Sequence, residues 1–230
     1  MKRAAAWLLA SLVFAAPLTH AATAALTDAQ QARLDRAVID QAEGRRGAAR
    51  RAFEALARQG VPAAAYNLAV LQLDGQLPGV GVRQARRWLE RAAAGGFVTA
   101  MLALGQLHEG ERLGRRDLAA SLRWYERAAE AGDGDAQLAA GTAHYLGRGT
   151  VRSGPEALRW FRAAALQGDV GAQYLVASMY EQGDGVERDL RLARYWYDAA
   201  AKNGDVAAPG KRQQIDAAIA AAAAASTAPP

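Results

Sequence analysis

The sequence predicts an all-α fold in which antiparallel helix pairs of equal length stack into a solenoid. A tryptophan returns every 36 residues, at Trp88, Trp124, Trp160 and Trp196. A glycine keeps the same period, at Gly60, Gly96, Gly132, Gly168 and Gly204. Between these marks, apolar residues recur at the spacing of one helix face. A fixed period between roughly 20 and 50 residues is typical of a stacked repeat array, in which each unit packs against its neighbours.

Residues 1–21 predict a secretory signal peptide. Lys2 and Arg3 precede an uncharged apolar run from Ala4 to Leu18, and the small residues of THAATA follow. This run is short for a hydrocarbon core of about 30 Å, although an uncleaved membrane anchor is the alternative interpretation. We expect cleavage after Ala21 or Ala22, no stable membrane span afterwards, and a periplasmic or secreted protein.

The composition limits how the chain is stabilised and what it binds. It contains no cysteine, so we expect neither a disulfide nor a lipid attached to a thiol, and stability must depend on buried apolar surface. The formal charge of +5 becomes +3 without Lys2 and Arg3. A basic chain raises the hypothesis of nucleic-acid binding. Predicted export argues against it, as does the lack of a basic stripe interleaved with aromatic residues.

Residues 22–60 predict an N-terminal capping hairpin of two helices. Thr27 and Gln30 have the spacing of a capping box at the start of the first helix. The second helix carries Ala52 and Phe53 where later units carry tryptophan and another bulky residue. A departure of this kind is expected of a terminal repeat.

Four complete units follow, at residues 61–96, 97–132, 133–168 and 169–204, and each predicts a helix A, a turn and a helix B. In the last unit, the apolar stripe of helix A comprises Ala172, Val176, Met179 and Tyr180. The sequence GDGV from Gly183 to Val186 predicts the turn, and Asp189 is a suitable N-cap for helix B. Trp196 falls on the buried side of helix B. We therefore interpret the periodic tryptophan as a packing residue rather than a ligand-binding one.

Residues 205–230 predict a C-terminal capping helix and a disordered tail. Ile215 and Ile219 lie on one face of this helix and are expected to dock on the last helix B. The tail has the sequence STAPP.

The repeated unit resembles the Sel-1-like repeat, a relative of the tetratricopeptide repeat. The resemblance is carried best by AQYLVASMYEQGDGVERDLRLARYWYDAAAKNG, residues 172–204, and more weakly by the three units before it. It implies a right-handed α-α superhelix whose members mostly serve as adaptors in protein complexes. Ala69 and Ala177 stand where the family prefers glycine, and Gly81 and Ser153 stand where it prefers aspartate. We expect these departures to affect local geometry only.

A partner-binding groove is predicted on helix A. Each helical residue advances about 100°, so the residue two positions after the leading alanine points about 200° away from the buried stripe. The resemblance implies that this face lines the concave side of the superhelix. The predicted groove residues are Tyr66, Val70, Leu102, Gln106, Leu138, Thr142, Tyr145, Tyr174, Ser178 and Glu181. A mixed aromatic and polar groove suits a peptide or a partner helix.

The residue two positions after the leading alanine of helix A also has an alternative interpretation. Tyr66, Leu102, Leu138 and Tyr174 could instead only pack against the adjacent helix A. The residues one turn further along are better candidates for contact with a partner; they are Val70, Gln106, Thr142 and Ser178.

No catalytic, cofactor-binding or metal-binding residue is predicted. His108 and His144 lie one repeat apart with no third ligand at metal spacing, so packing is the preferred interpretation. No serine lies in a Gly-x-Ser-x-Gly or Ser-x-x-Lys context. Glu90, Glu126 and Asp198 lie beside basic residues on helix B, which favours a solvated face with ion pairs over acid–base chemistry.

The sequence therefore favours an exported interaction scaffold, acting as an adaptor or regulator in the cell envelope. Its expected partner is another protein or a peptide segment there, with no role for nucleic acid. An alternative is a cell-wall-related hydrolase or a small-molecule binder for β-lactams or muropeptides. That alternative depends on a cysteine-rich branch of the resembled family, and a chain without cysteine does not carry its residues. A second alternative is a purely architectural spacer.

Overall fold

A computed structural model describes residues 25–75 and 81–227, which form eleven helices. The predicted signal peptide and the last three residues lie outside the described part of the chain. The helices are α1 Asp28–Ala42, α2 Arg46–Arg58, α3 Pro62–Leu73, α4 Val82–Ala94, α5 Val98–Glu109, α6 Leu118–Glu130, α7 Gly134–Leu146, α8 Gly154–Leu166, α9 Val170–Gln182, α10 Leu190–Lys202 and α11 Ala208–Thr227.

The helices pack in chain order. Each helix makes its main contacts with the helix before it and the helix after it, from α1 to α11. Helices α3, α5, α7 and α9 are the helices A of the four units, and α4, α6, α8 and α10 are the helices B. The core runs along this stack as two contiguous clusters of buried side chains. The predicted all-α solenoid of helix pairs is confirmed.

The periodic glycine ends each helix B because the backbone there turns left-handed. All five periodic glycines have positive φ, from 80° at Gly96 to 102° at Gly204. A side chain at such a position would place its Cβ too close to the backbone, whereas glycine adopts it freely. The described residues contain no other residue type at positive φ. The period in the sequence therefore marks the end of each unit.

The periodic tryptophan packs into the core in three units of four. Trp88, Trp160 and Trp196 are 8%, 4% and 6% exposed. Trp124 differs, because its indole is only half-buried and carries the guanidinium group of Arg127 4.5 Å from the ring centroid. The prediction of a packing role is thus confirmed for three tryptophans, whereas Trp124 also forms part of the surface.

Two of the three helix B carboxylates singled out in the sequence form ion pairs. Glu90 pairs with Arg86 at 3.4 Å, and Asp198 pairs with Lys202 at 2.6 Å and with Arg212 at 2.8 Å. Glu126 instead contacts Nε2 of His144 at 2.9 Å. Arg91, like Arg127, lies over the tryptophan three residues before it. Stacked guanidinium groups cover the faces of the indoles, so these arginines also contribute to packing.

A helical hairpin, α1 with α2, and the single helix α11 lie at the two ends of the described stack. The capping box of Thr27 and Gln30 is present, and Phe53 is fully buried in the N-terminal hairpin. Ile215 is 3% exposed and Ile219 is partly buried against the last unit. However, α11 continues to Thr227, so the first two residues of STAPP are helical. Regular backbone hydrogen bonding in an alanine-rich segment favours this extension.

Candidate functional site

The ten predicted groove residues lie on the sides of α3, α5, α7 and α9 that face away from the buried stripes; we call this surface the groove face. Nine of the ten are half-buried, and Gln106 is exposed. Leu102 packs on the N-terminal core cluster, and Leu138 and Tyr174 pack on the C-terminal one. These side chains therefore contribute to packing while part of each still faces solvent.

Aromatic rings hold the tyrosines of the groove face in place. Tyr66 lies 5.1 Å from Phe97, measured between ring centroids. Tyr174 makes an edge-on contact with Tyr197 of α10, also at 5.1 Å. Tyr145 lies at the longer distance of 6.3 Å from the ring of Phe161. Such contacts restrict the rotamers of the tyrosines before any partner binds.

Polar members of the groove face already make internal hydrogen bonds. The Thr142 hydroxyl donates to the carbonyl oxygen of Leu138 at 2.8 Å. The Ser178 hydroxyl oxygen accepts from the side-chain amide of Gln182 at 2.9 Å. Glu181 accepts from the Tyr197 hydroxyl at 2.6 Å. The Lys211 ammonium group lies 3.2 Å from the same carboxylate. Glu181 is therefore a structural residue as well as a surface residue.

The Glu181–Tyr197 pair recurs two units earlier. Tyr125 of α6 donates its hydroxyl proton to Glu109 of α5 at 2.8 Å. Burial, and then the hydrogen bond to the glutamate, raises the pKa of each tyrosine well above its ordinary value. The sequence places Glu109 on the same side of helix A as Gln106, 72 residues before Glu181, although Glu109 is not among the ten predicted groove residues.

The other two units lack both members of the pair. The third unit has Phe161 in place of the tyrosine and Tyr145 in place of the glutamate. In the first unit, leucines stand at both places, Leu89 and Leu73. At this position of helix A, a carboxylate thus occurs only in the units whose helix B offers a hydroxyl donor. This match follows from the cost of burying an unsatisfied polar group.

A cavity of about 320 Å³ opens between the second and third units. The predicted groove residues Leu138 and Thr142 lie on its wall, next to Ala139 and Ala143 of the same helix. Helix α6 supplies the rest of the apolar lining, namely Leu118, Leu122 and Tyr125. Of the other predicted groove residues, Tyr145 and Ser178 line a far smaller cavity of about 20 Å³.

The helix B residues of this cavity were missed by the sequence analysis, which looked only at helix A. A signal was available at Leu122. The equivalent positions of the hairpin and of the first and fourth units hold arginines, Arg50, Arg86 and Arg194, whereas the second and third units hold leucines. Leu122 is 6% exposed. A leucine at a repeat position that holds arginine in other units indicates a locally apolar environment.

A second cavity of about 250 Å³ adjoins the first at the turn end of the helices. It is lined by Glu109, Leu118, Arg148 and Arg116, and it shares the first three with the larger cavity. The guanidinium group of Arg148 lies 3.6 Å from the carboxylate of Glu109, and that of Arg116 lies 3.4 Å from Glu111. Within the described residues neither of these two guanidinium groups donates a hydrogen bond. Arg152, in contrast, donates twice to Asp184, at 2.7 and 2.8 Å.

The two histidines of the repeats lie in different environments. His144 is buried beside Glu126, as described above. Burial lowers the pKa of His108, against the opposing charge of Asp117. Across residues 25–75 and 81–227, no three side chains of the histidine, aspartate and glutamate types cluster closely enough to hold a metal ion. The same residues contain no helix that is both long and apolar enough to cross a bilayer.

An array of helix pairs with a half-exposed groove face defines a helical-repeat protein, a class that presents an extended binding surface. The model of the Sel1 repeat matches residues 62–97, 98–133, 134–169 and 170–205, each range beginning one residue after the unit predicted from the tryptophan period. The chain belongs to the Sel1 repeat family. Repeats of this family typically bind proteins and are generally non-enzymatic.

Solved structures with the same repeat are similar to the chain. A Sel1 repeat protein from Oxalobacter formigenes is 29% identical with a TM-score of 0.60; the match covers 70% of this chain and 66% of that one, just under two thirds. A protective antigen of uropathogenic Escherichia coli is 22% identical, with a TM-score of 0.44 and coverages of 81% and 49%. A Sel1 repeat protein from Klebsiella pneumoniae is also 22% identical, with a TM-score of 0.47 and coverages of 81% and 93%. Comparison with curated protein sequences gives no match.

Proposed function

We propose that this chain is exported and acts as an adaptor or regulator in the cell envelope, where it binds a protein or peptide segment through the groove face. The observation that carries the proposal is the groove face itself. It extends over four consecutive units, and its side chains are half-exposed rather than fully buried. Family membership supports a protein partner, and the predicted signal peptide supports export.

The internal contacts of the groove face favour recognition of a defined partner. Aromatic side chains such as Tyr66 and Tyr174 are already held by neighbouring rings, at centroid distances of 5.1 Å. A side chain that is ordered before binding loses less conformational entropy when the partner arrives. Half-buried aromatic residues of this kind commonly provide the strongest contacts in interfaces. The proposal assigns no catalytic, cofactor-binding or nucleic-acid-binding role to the chain.

Site-specific photocrosslinking in the native host tests the binding surface. A photoreactive amino acid at Gln106, the exposed member of the groove face, is expected to give a discrete crosslinked product. The matched control places the same amino acid at Arg123, which is exposed on helix B of the same unit. Equal products from the two positions, or no product from Gln106, would contradict binding through the groove face.

A reporter fusion tests export. Alkaline phosphatase requires disulfides and is therefore active only outside the reducing cytoplasm. Fused after Pro230, it should be active with the full chain and inactive when residues 1–21 are deleted. Activity that does not depend on residues 1–21 would show that the segment is not the export signal, and inactivity of both fusions would show that the chain is not exported.

A further inference from the structure

We infer that the two adjoining cavities between the second and third units form one binding site for a peptide segment that carries a large apolar side chain followed by a carboxylate. This inference rests on the proposed function and names the chemistry of the partner at one place on the groove face. The two cavities share Glu109, Leu118 and Arg148 and are therefore continuous.

The larger cavity takes the apolar side chain. Leu118, Leu122 and Leu138 line it from two different units, and its volume is about 320 Å³. Ligand-binding cavities span roughly 300 to 1,000 Å³, so this one is of a size for one or two side chains rather than a whole helix. Leu118 and Leu138 are partly exposed. Binding is favoured when an apolar side chain of the partner removes their remaining surface from water.

The smaller cavity takes the carboxylate because its two guanidinium groups are held only by long ion pairs. Arg116 lies 3.4 Å from Glu111, and Arg148 lies 3.6 Å from Glu109. One oxygen of Glu109 already accepts from Tyr125 at 2.8 Å, and its other oxygen lies 3.6 Å from Arg148. Neither guanidinium group donates a hydrogen bond to the described residues, so both retain donors for a bidentate anion.

The larger cavity also indicates a peptide rather than a fatty acid. Asp135 and Ser121 lie on its wall beside the leucines. A carboxylate and a hydroxyl accept hydrogen bonds from backbone N–H groups, which a peptide offers at every residue. A hydrocarbon chain offers no donor and would leave the Asp135 carboxylate partly desolvated without compensation.

The test is an NMR titration of isotope-labelled protein comprising residues 22–230. The titrant is the tetrapeptide Gly-Phe-Asp-Gly, acetylated at its N-terminus and amidated at its C-terminus. Concentration-dependent shifts at the amides of Leu118, Leu138 and Thr142 are expected. Replacing the aspartate of the probe by asparagine, or its phenylalanine by alanine, should weaken binding about tenfold, as expected for a lost charged contact or a lost buried ring.

Two protein variants separate the charge from the cavity. Arg148→Gln should weaken binding of the aspartate peptide about tenfold and leave the asparagine peptide unaffected. Its side chain is 52% exposed, so folding should be retained. Ala139→Leu fills the cavity and should weaken both peptides. The control is Arg123→Gln, which removes an exposed arginine of α6 that does not line either cavity.

Four results would each overturn the inference. Two concern the peptides: no shifts at the three amides at millimolar peptide, or equal binding of the aspartate and asparagine peptides. The other two are an Arg148→Gln variant that binds like the wild type, and displacement of the peptide by decanoate, a fatty acid. These failures are distinguishable from failure of the proposed function. A specific crosslink from Gln106 with no peptide shifts at the cavity would keep the groove face and remove only this site. Loss of that crosslink would contradict the proposed function itself.

Discussion

At the scale of single residues, the contact between helix A and helix B of one unit depends on matched pairs. The residue after the periodic tryptophan packs on a small residue of helix A. A Cβ on Gly141 would lie 2.5 Å from the ring of Phe161, and Gly105 faces the ring of Tyr125 in the same way. At the same places the first unit has Leu89 and Ala69, and the fourth has Tyr197 and Ala177. The smaller leucine accounts for the alanine of the first unit, but nothing comparable accounts for Ala177.

We predict that Gly141→Ala destabilises the fold by about 1 to 3 kcal/mol, because the new methyl group overlaps the buried ring of Phe161 and the core must shift. Gly47→Ala is the matched control. Its Cβ would meet only the end of the Arg51 side chain, at 3.7 Å, so alanine should stabilise α2 by roughly 0.5 to 1 kcal/mol. Urea unfolding monitored by circular dichroism measures both changes. A neutral Gly141→Ala would mean that Phe161 has another rotamer available.

A second prediction concerns the hydroxyl of Tyr125. Tyr125→Phe removes a hydrogen bond to a carboxylate and should lower the free energy of unfolding by about 1 to 2 kcal/mol. In the control Tyr195→Phe, the side chain is 61% exposed and the change should stay within about 0.5 kcal/mol. Combining Tyr125→Phe with Glu109→Leu, which removes both polar groups, should cost less than the sum of the single changes. Strict additivity would show that the two side chains do not interact.

The same hydroxyl predicts an alkaline effect. Folding raises the pKa of Tyr125, so this contribution to stability is complete below the ordinary tyrosine pKa of about 10 and is lost as the pH rises above it. Between pH 10 and 11, the wild-type protein should therefore lose stability more steeply than Tyr125→Phe. Unfolding curves at a series of pH values measure the two slopes. Equal slopes would contradict the assignment to this residue.

At the scale of helices, side chains at the unit boundaries fix where each helix begins and how units join. Asp133 and Asp169 cap α7 and α9 by accepting from backbone N–H groups, at 2.8 and 2.6 Å. Two buried glutamines then join units. Gln173 donates to the carbonyl oxygen of Ala165 at 3.1 Å, and Gln137 makes the same bond to Ala129 at 3.2 Å. The second unit has Met101 at this place, so its junction with the first unit is apolar.

We predict that Asp169→Ala lowers the free energy of unfolding by about 1 kcal/mol, within the range of roughly 0.5 to 2 found for N-cap residues. The reason is that the N–H group of Ala172 loses its acceptor at the start of α9. Glu187→Ala, at an exposed position of the following turn, is the control and should change stability by less than about 0.5 kcal/mol. Thermal and urea unfolding provide the measurement, and equal effects of the two substitutions would contradict the assigned cap.

At the scale of the whole molecule, stability is a sum of similar contacts between neighbouring units. Each helix contacts chiefly its neighbours in the chain, so no unit is held by a distant part of the sequence. A solenoid of this kind tolerates the gain or loss of one complete unit, provided that the new junction repeats an existing one.

We predict that deletion of residues 134–169 leaves a folded protein with cooperative unfolding. Asp133 would then directly precede Val170 and could cap α9 in place of Asp169. Gln173 would face Ala129, as Gln137 does in the intact chain. Circular dichroism should give the same helical signal per residue, and heating should give a single transition.

A spacer role further predicts that this deletion impairs function in cells more than groove substitutions do.

Deletion of residues 134–151 is the control for this experiment. It removes only α7 and the following turn, so α6 would meet α8, another helix B, without a helix A between them. We expect loss of cooperative unfolding. Equal behaviour of the two deletions would contradict a solenoid built from 36-residue units.

The sequence alone determined the repeat unit, the helix pairs and most helix ends. These features depend on residues that are close together in the chain: a glycine that permits positive φ, an aspartate that caps the next turn, and apolar residues on one face of one helix. The period of 36 residues then made each unit an independent repetition of the same prediction. The assignment of the helix A side chains from Tyr66 to Glu181 to a partner-binding surface stays a prediction.

Only the tertiary structure decided which of those side chains already have partners and where a cavity remains. The Glu181 carboxylate is engaged by Tyr197 and by Lys211, 16 and 30 residues away. The cavity at Leu138 depends on Leu122 from the preceding helix B and on Arg148 from a turn, neither of which lies on helix A. A repeat pattern specifies the faces of each helix, but the space between two units depends on the volumes and charges of the side chains that meet there.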